Sequence, residues 1–376
     1  MPPKRKRGSG NDRKRNTSNR EESQSSTTLG QSKAAFGRCV YVSDRYEKVA
    51  RIGEGTYGIV YKAIDKVTSR HVALKRSIPH HQADDGFPAT SLRELQTLRL
   101  CSNHDHIVKL LDVTVSSRKI SGQDGGGSGN VFFVFEFCEY DLANLIDDYY
   151  KRRGRSPFDI RAVKTLMSHL LKALRYMHSR CLIHRDVKLS NLLYCSKTGM
   201  LKLADFGLSR PFAPNCENSI SLTPTVASLW YRPPELLFGA ITYSQAIDLW
   251  AAGCIFTELA FGHPVLNGKN EMDQINKIIE YVGDIPGMNG DDWPEMRDLP
   301  RIKDGAVKVP AASSSPRRLL DLCSNWSLAG LRLLTSLLEY NPRKRWTASY
   351  ALEQSEYLNG AEQPPYTSAE MPRRFL

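Results

Sequence analysis

The chain has 376 residues, of which 41% are hydrophobic and 24% are charged, and its formal net charge at pH 7 is +12. The apolar content is ample for a sizeable core, and a single core would be oversized at this length, so we expect two lobes of ordinary domain size. The eight cysteines form no Cys-x-x-Cys pair and no apolar stretch could span a bilayer, so we expect neither a disulfide framework, nor a zinc site, nor a membrane segment, in a soluble intracellular protein.

Most of the positive charge lies at the N-terminus. Residues 1–38 contain ten Lys or Arg against three acidic residues, a net charge of +7. Large apolar residues are few there, so we expect residues 1–40 to form a basic disordered tail. The basic runs at 3–7 and 13–15 predict a nuclear import signal, although a solvated tail or a nonspecific nucleic-acid contact would give the same pattern.

A glycine-rich run follows where the first strands are predicted. Residues 52–60 have the pattern Gly-x-Gly-x-x-Gly-x-Val. Glycine lets the backbone approach a phosphate closely and present amide N–H groups to it. A dinucleotide-binding loop is excluded, because residues 61–63 continue as a strand and no helix begins at the third glycine. The run therefore predicts a phosphate-binding hairpin.

A lysine and a glutamate come next. Lys75 ends a Val-Ala-Leu-Lys run one strand further on, and Glu94 lies within residues 91–98, where leucines recur at helical spacing. A flexible ammonium group stays at a phosphate only if an acidic partner holds it, and Glu94 is the candidate. Taken alone, a glutamate on a helix would be interpreted as a solvated residue.

The middle of the chain changes from strand-like to helix-like. Residues 116–130 include the glycine-rich segment 125–129 and predict a flexible surface hairpin, and the apolar run 131–137 predicts a buried strand. Apolar residues between 160 and 177 keep a spacing of three and four, which predicts a core helix. Residues 246–261 are apolar on most faces and predict a helix at the centre of the second half.

The most informative pattern lies between those two helices. Residues 183–191 read Ile-His-Arg-Asp-Val-Lys-Leu-Ser-Asn, and Asp205-Phe206-Gly207 follows. The pair predicts a phosphoryl-transfer site, with Asp186 placed to accept a proton from a hydroxyl and with Asn191 and Asp205 placed to hold magnesium. His184-Arg185-Asp186 or Asp205-Phe206-Gly207 alone would be weak evidence for such a site. The two triplets in this order are strong evidence.

Together these motifs resemble the eukaryotic protein kinases and, within them, the cyclin-dependent kinases. Residues 87–94, Phe-Pro-Ala-Thr-Ser-Leu-Arg-Glu, are similar to the cyclin-binding helix motif of that family. Residues 53–58, Gly-Glu-Gly-Thr-Tyr-Gly, are similar to its phosphate loop, and residues 229–235, Leu-Trp-Tyr-Arg-Pro-Pro-Glu, to the end of its activation segment.

The resemblance implies the fold. It is the α+β, two-lobed eukaryotic protein kinase fold, with a small β-rich N-lobe that carries one regulatory helix and a larger, mainly α-helical C-lobe. The N-lobe would occupy residues 46–138 and the C-lobe residues 139–357. Residues 358–376 would form a C-terminal tail.

The resemblance also implies the roles of individual residues, with ATP and Mg²⁺ as the cofactors. Asp186, Lys188, Lys75 and Glu94 would be catalytic, and Asn191 and Asp205 would bind the metal. The residues implied to contact ATP belong to the phosphate loop, its neighbouring strand, the hinge and the ribose site: Ile52, Gly53, Glu54, Gly55, Thr56, Tyr57, Gly58, Val60, Ala73, Lys75, Glu136, Cys138 and Asp141.

Regulation is implied in the same way. Thr223 would be phosphorylated by an activating kinase, and the resulting phosphate would bind three arginines that match family positions, Arg93, Arg185 and Arg210. Phosphates on Thr56 and Tyr57 would inhibit by repelling the nucleotide, although both side chains could equally be plain loop covers.

A cyclin partner is implied because the helix that bears Glu94 must be held inward to complete the pair with Lys75. The chain alone is therefore expected to be nearly inactive. We expect a heterodimer with a cyclin, no membrane partner, and no nucleic-acid contact beyond the basic tail.

Arg232 and Ser228 would bind the protein substrate, with Ser or Thr followed by Pro as the expected target. Ala227 and Ser228 stand where the family more often has Val and Thr, which leaves proline direction open. The chain looks nearer to transcription-associated members, which implies nuclear substrates such as the Ser-Pro repeats of the RNA polymerase II tail. A cell-cycle-type kinase and a cyclin-binding scaffold remain the alternatives, whereas a MAP kinase lacks support because its Thr-x-Tyr pair is absent near Thr223.

Overall fold

The structure is a computed structural model that describes residues 40–55, 58–77, 89–101, 103–116, 130–212, 227–285, 292–307, 318–361, 363–367 and 369–371. The basic tail, the glycine-rich insertion, Thr56, Tyr57 and Thr223 lie outside these residues. What the sequence predicts for them stays a prediction.

A five-stranded antiparallel sheet with the strand order β1-β2-β3-β5-β4 forms the first half of the fold. Its strands are β1 Tyr46–Gly55, β2 Gly58–Asp65, β3 His71–Ser77, β4 Leu110–Val115 and β5 Val131–Glu136. The apolar run predicted as a buried strand is β5, whose four central residues are buried. The short helix α1 (Val42–Arg45) precedes the sheet, and α2 (Ala89–Cys101) lies between β3 and β4.

Gly58 begins β2 at a point where a side chain has no room. A Cβ atom at this position would lie 2.1 Å from the carbonyl oxygen of Arg76 on β3. Because real Cβ contacts with backbone are never that short, only glycine lets the end of the phosphate hairpin lie this close to the strand that carries Lys75.

Helices make up most of the second half. Their bounds are α3 Leu142–Arg153, α4 Ile160–His178, α5 Pro234–Leu237, α6 Ala246–Phe261, α7 Glu271–Val282, α8 Pro300–Lys303, α9 Arg318–Leu322, α10 Leu328–Leu337, α11 Ala348–Gln354 and α12 Glu356–Asn359. The two predicted helices are α4 and α6, and nearly all of α6 is buried. The N-cap of α4 is Asp159, whose carboxylate accepts a hydrogen bond from the amide of Ala162 at 2.8 Å. These elements confirm the predicted α+β fold.

Two small sheets hold the loops that carry the predicted site. Strands β6 (Tyr140–Asp141), β8 (Leu192–Cys195) and β9 (Met200–Leu203) form one sheet, and β7 (Leu182–Ile183) pairs with β10 (Arg210–Pro211) in the other. The segment with Asp186 therefore runs from β7 to β8, and Asp205 follows directly after β9. Among the described residues, no helix has the length and apolar character needed to cross a membrane.

The segment near the C-terminus lies along α4. Arg161 donates to the carbonyl of Pro364 at 2.8 Å and places its guanidinium 4.1 Å from the ring centre of Tyr366. The Tyr366 hydroxyl donates to Asp159 at 2.8 Å, and Met371 is only 3% exposed. Within the predicted C-terminal tail, Pro364 and Tyr366 thus pack against the helical second half.

Candidate active site

A buried aspartate fixes the loop between β7 and β8. Asp248, in the first turn of α6, accepts hydrogen bonds at 2.9 Å from the amides of His184 and Arg185 and from the His178 ring. Burial alone would raise the pKa of Asp248, but the hydrogen bonds from His178 and from the amide of His184 hold it below its usual value. This geometry fixes the backbone of the loop directly before Asp186.

Three polar side chains converge on Asp186. Its carboxylate lies 2.7 Å from the Lys188 ammonium and accepts a hydrogen bond from the Ser228 hydroxyl at 3.2 Å. Lys188 also donates to the Ser228 oxygen at 3.2 Å. The Asn191 amide nitrogen donates to the Asp186 carbonyl at 2.8 Å and to its carboxylate at 3.2 Å. The sequence-predicted residues of this loop are therefore brought together with Ser228, which directly precedes residues 229–235.

Lys75 joins two carboxylates from distant parts of the chain. Its ammonium lies 2.7 Å from Glu94 on α2 and 2.9 Å from Asp205 after β9. Burial by itself would lower the pKa of Lys75, but the two carboxylates raise it above its usual value, so the ammonium stays charged. For Asp205, burial is likewise outweighed by Lys75, and its pKa is lowered. The predicted pair of Lys75 with Glu94 is formed in this structure.

The donor set fits magnesium. Because Asn191 donates through its amide nitrogen, its amide oxygen is the atom left to face a cation, and Asp205 adds a carboxylate. Within the described ranges, no group of three His, Cys, Asp or Glu side chains could hold a metal by itself. Mg²⁺ commonly takes one or two protein oxygens together with substrate phosphates and water, so these two residues suit it.

The described residues among those implied to contact ATP lie on β1, β2 and β3, at the end of β5 and in the segment that leads to α3. Ala73 on β3 is the Cα partner of the buried Phe135 on β5. Glu136 and Cys138 follow in the hinge, and Asp141 caps α3 by accepting from the Asn144 amide at 2.8 Å. In the glycine-rich hairpin, β1 and β2 pair along Gly53–Val60, Glu54–Ile59 and Gly55–Gly58, while Ile52 lies half-exposed on β1.

Two of the three arginines implied to bind a phosphothreonine lie near each other. Arg210 begins β10, which pairs with β7 just before Arg185. Arg185 donates to the carbonyl of Leu208 and to the hydroxyl of Tyr243, each at 2.7 Å, and both guanidiniums act electrostatically on Tyr243. Arg93 is exposed on α2, and the contacts of the described residues do not join it to the other two.

Arg232 bonds the backbone of Ala227, five residues earlier in the chain. Its guanidinium donates to the Ala227 carbonyl at 3.1 Å and to Glu271 at 2.5 Å, and Glu271 also bonds Arg301. Ala227 has a φ of 64°, and the same left-handed region holds Arg185 and Asp205, at 70° and 61°. The Ala227 carbonyl thus points to the Arg232 guanidinium.

The sequence predictions missed one buried ion pair beneath the site. Arg345 donates to both carboxylate oxygens of Glu235, at 2.8 and 3.1 Å, and also to the carbonyl of Ala246. Glu235 ends the segment that resembles an activation segment, but its partner lies 110 residues further on. No local spacing could have signalled such a pair.

Comparison with known proteins agrees with this geometry, since the protein kinase domain family matches residues 46–358. A Dictyostelium discoideum protein named probable cyclin-dependent kinase 10 is 42% identical over 331 residues, which are 88% of this chain and 82% of that protein. Human cyclin-dependent kinase 10 is 41% identical, over 86% of this chain and 82% of its own length. Cyclin-dependent kinase B2-1 of Oryza sativa subsp. japonica is 38% identical, over 86% and 92%.

The fold and the site therefore define a protein serine/threonine kinase that uses ATP. Within that class the chain belongs to the cyclin-dependent kinase family, as the resemblance of its motifs predicts.

Proposed function

We propose that this chain is the catalytic subunit of a cyclin-dependent kinase complex that phosphorylates Ser or Thr followed by Pro in nuclear proteins. The observation that carries the proposal is the cluster of Asp186, Lys188 and Ser228 beside Asp205. Lys188 helps to lower the pKa of Asp205, so the two halves of the site lie within electrostatic reach of each other.

The chemistry follows from that cluster. Asp186 orients the substrate hydroxyl and takes its proton, while the hydroxyl oxygen bonds to the γ-phosphorus and the bond to the β,γ-bridging oxygen breaks to release ADP. Lys188 stabilises the charge that builds up on the phosphoryl group, and Lys75 holds the phosphates that remain on ADP. Asn191 and Asp205 would hold Mg²⁺, which would supply further charge neutralisation.

Proline direction is supported by the geometry of Ala227. Its carbonyl accepts a hydrogen bond from Arg232, so in our proposal it would not accept one from the residue after the phosphorylated one. A substrate amide N–H at that position would lose its partner on binding, which costs free energy. Proline has no N–H to leave unpaired and is therefore favoured.

Regulation is proposed from charge. Arg185 and Arg210 place two guanidiniums near Tyr243, and a phosphate on Thr223 would offer them bidentate bonds and order the loop. Thr223 lies outside the described residues. Phosphates on Thr56 and Tyr57, also outside them, would act in the opposite sense.

The partner and the location are proposed from the relatives and the tail. Relatives that cover most of this chain are named cyclin-dependent kinases, which supports a cyclin that holds α2 against the sheet. The basic runs at 3–7 and 13–15 support import into the nucleus. Transcription-related substrates such as the RNA polymerase II tail belong to this proposal, with cell-cycle substrates as the alternative.

The test is phosphate transfer from ATP and magnesium to a Ser-Pro peptide, with a Ser-Ala peptide as the substrate control. The chain is purified together with the cyclin that binds it, and Asp205→Asn is compared with the exposed variant Lys151→Ala. We expect transfer that requires Asp205 and the cyclin and that prefers Ser-Pro. Cyclin binding without Asp205-dependent transfer would instead indicate a scaffold, and equal use of both peptides would refute proline direction.

A further inference from the structure

The hinge is joined by a side chain to the strand that leads to Asp205. The carboxylate of Glu136 lies 2.8 Å from the ammonium of Lys202 on β9. The same carboxylate oxygen accepts a hydrogen bond from the amide of Lys109 at 2.8 Å, and the amide of Glu136 donates to the Lys109 carbonyl at 3.0 Å. Glu136 is therefore held at both its backbone and its side chain.

Lys202 makes a second bond to the loop that follows α2. Its ammonium donates to the Asp105 carbonyl at 3.0 Å. Next to it, the Leu203 amide donates to the His106 carbonyl, and the Val108 amide donates to the Leu203 carbonyl, both at 2.9 Å. Lys202 thus stands where the hinge, the loop after α2 and the strand before Asp205 meet.

A buried lysine at this junction is not explained by packing alone. Lys202 is only 8% exposed, and removing an ammonium from water costs free energy unless acceptors replace the lost hydration. An apolar side chain of similar length would anchor β9 without that cost. What an apolar side chain cannot do is hold the charged end of Glu136.

We infer that Lys202 is a positioning residue for the nucleotide, acting through Glu136. The inference rests on the proposed function, and it takes the main chain of Glu136 and Cys138, the hinge residues that the family resemblance implies to contact ATP, as the part that binds adenine. With Lys202 in place, Glu136 is fixed at its amide and its carboxylate, so its carbonyl keeps one direction. Without Lys202, the carboxylate, whose side chain is already 27% exposed, keeps only the hydrogen bond from the Lys109 amide, so the hinge peptide is held less firmly in that direction.

The chemical step should be affected much less than binding. Lys202 contacts neither Asp186 nor Lys188 in the described structure, and their hydrogen bonds run through Ser228 and Asn191. Loss of Lys202 should therefore raise the KM for ATP about fivefold, within the range of coupling between neighbouring groups, and leave kcat within about twofold.

The experiment compares Lys202→Met with Lys202→Arg and with the matched control Lys197→Met in the active cyclin complex. Lys197 lies in the turn of the same hairpin, is 78% exposed in its side chain and stands 3.9 Å from Glu139. ATP kinetics and calorimetric titration with ADP and magnesium are the readouts. We expect weaker nucleotide binding for Lys202→Met, partial recovery for Lys202→Arg, and wild-type behaviour for Lys197→Met.

Glu136→Gln keeps the inference testable if Lys202→Met fails to fold. It should weaken nucleotide binding to a similar degree, and the double variant should be no worse than either single one, because the two residues act as one unit. Unchanged KM in Lys202→Met and in Glu136→Gln, or a fall in kcat alone, would overturn the inference. A wild-type complex that binds no nucleotide would overturn the proposed function instead.

Discussion

At the scale of single residues, the buried pair of Arg345 and Glu235 lies beneath the segment that carries Ser228 and Arg232. The Arg345 side chain is fully buried and that of Glu235 is 4% exposed. Removing one member of such a pair leaves an uncompensated buried charge, whereas removing an exposed pair has little effect. The neighbouring residue Lys344, which pairs with Asp292 on the surface, provides the comparison.

Arg345→Met should lower the free energy of unfolding by about 3–5 kcal/mol, because the Glu235 carboxyl group stays buried and loses its partner. Lys344→Met should change it by less than about 1 kcal/mol. Urea denaturation of the two variants and the wild type measures both values. Equal stabilities would mean that the pair contributes nothing beyond an apolar contact.

Ser228 is a second residue whose contribution can be isolated. Its hydroxyl bridges Lys188 and Asp186 at 3.2 Å to each. Ser228→Ala should lower kcat about tenfold, since one positioned hydrogen bond is lost, while Ser228→Thr should retain most activity. Steady-state kinetics with a Ser-Pro peptide measure kcat for both variants. A wild-type kcat for Ser228→Ala would show that Lys188 and Asp186 are positioned without the Ser228 hydroxyl.

At the scale of elements, helices α6 and α10 lie unusually close at Gly253. A Cβ atom there would stand 2.8 Å from one methyl group of Leu338 and 3.1 Å from the Cβ of Leu337. On α10, a Cβ at Gly330 would meet the ring of Tyr357 at 3.2 Å, a tight contact but a tolerable one. The two glycines therefore differ in the room available at the same kind of helix contact.

Gly253→Ala should lower the free energy of unfolding by about 1–3 kcal/mol, because the added methyl group forces the two helices apart. Gly330→Ala should lie within about 1 kcal/mol of the wild type, since better helix propensity offsets its tighter contact. Thermal unfolding of both variants tests the difference. If the two variants were equally stable, α10 would be able to shift away from α6 without loss of free energy.

Some elements of the fold could be predicted from the sequence, whereas many contacts between them could not. The spacing of apolar residues predicted α4, α6 and β5, because a core-facing stripe or a buried run leaves a direct mark on the sequence. It could not predict the bond from Tyr366 to Asp159, or those from Lys202 to Glu136 and to the Asp105 carbonyl. Those contacts join residues far apart in the chain, and only the packed helices and strands bring them together.

The same limit applies to the site. Motif spacing predicted Lys75, Glu94, Asp186 and Asp205, and the structure brings Lys75 into contact with two of them. Their roles in catalysis stay predictions. The support beneath the site, such as Arg345, left no local pattern to find.

At the scale of the whole molecule, two stacked histidines link the halves of the fold. The rings of His106, in the loop after α2, and His169, on α4, lie 4.0 Å apart between centroids. His106 bonds the Leu201 carbonyl, and the Leu201 amide points to Nδ1 of His169. Burial lowers the pKa of His106 to about 4 and that of His169 to about 2, so both rings are neutral in the fold.

Stability should therefore fall as the pH drops. Below about pH 6.5 the unfolded chain binds protons on both histidines, and the folded chain does not do so until near pH 4, which costs about 1.4 kcal/mol per pH unit for each ring. His169→Phe removes one of the two rings. The free energy of unfolding should then decline between pH 6.5 and 4.5 less steeply, by about 1.4 kcal/mol per pH unit. Urea denaturation across that range tests this, with the exposed residue His263→Asn as a control whose slope should not change.

The left-handed backbone of Arg185, Asp205 and Ala227 has a consequence for how this chain can change over time. A residue with a side chain is strained in that region by roughly 1–3 kcal/mol, and all three lie within the candidate active site. The conformation that suits the chemistry is thus not the conformation of lowest backbone energy. Selection for thermal stability alone would favour substitutions that relax these three positions. A more thermostable variant of this kinase that arose in this way would therefore have lower activity.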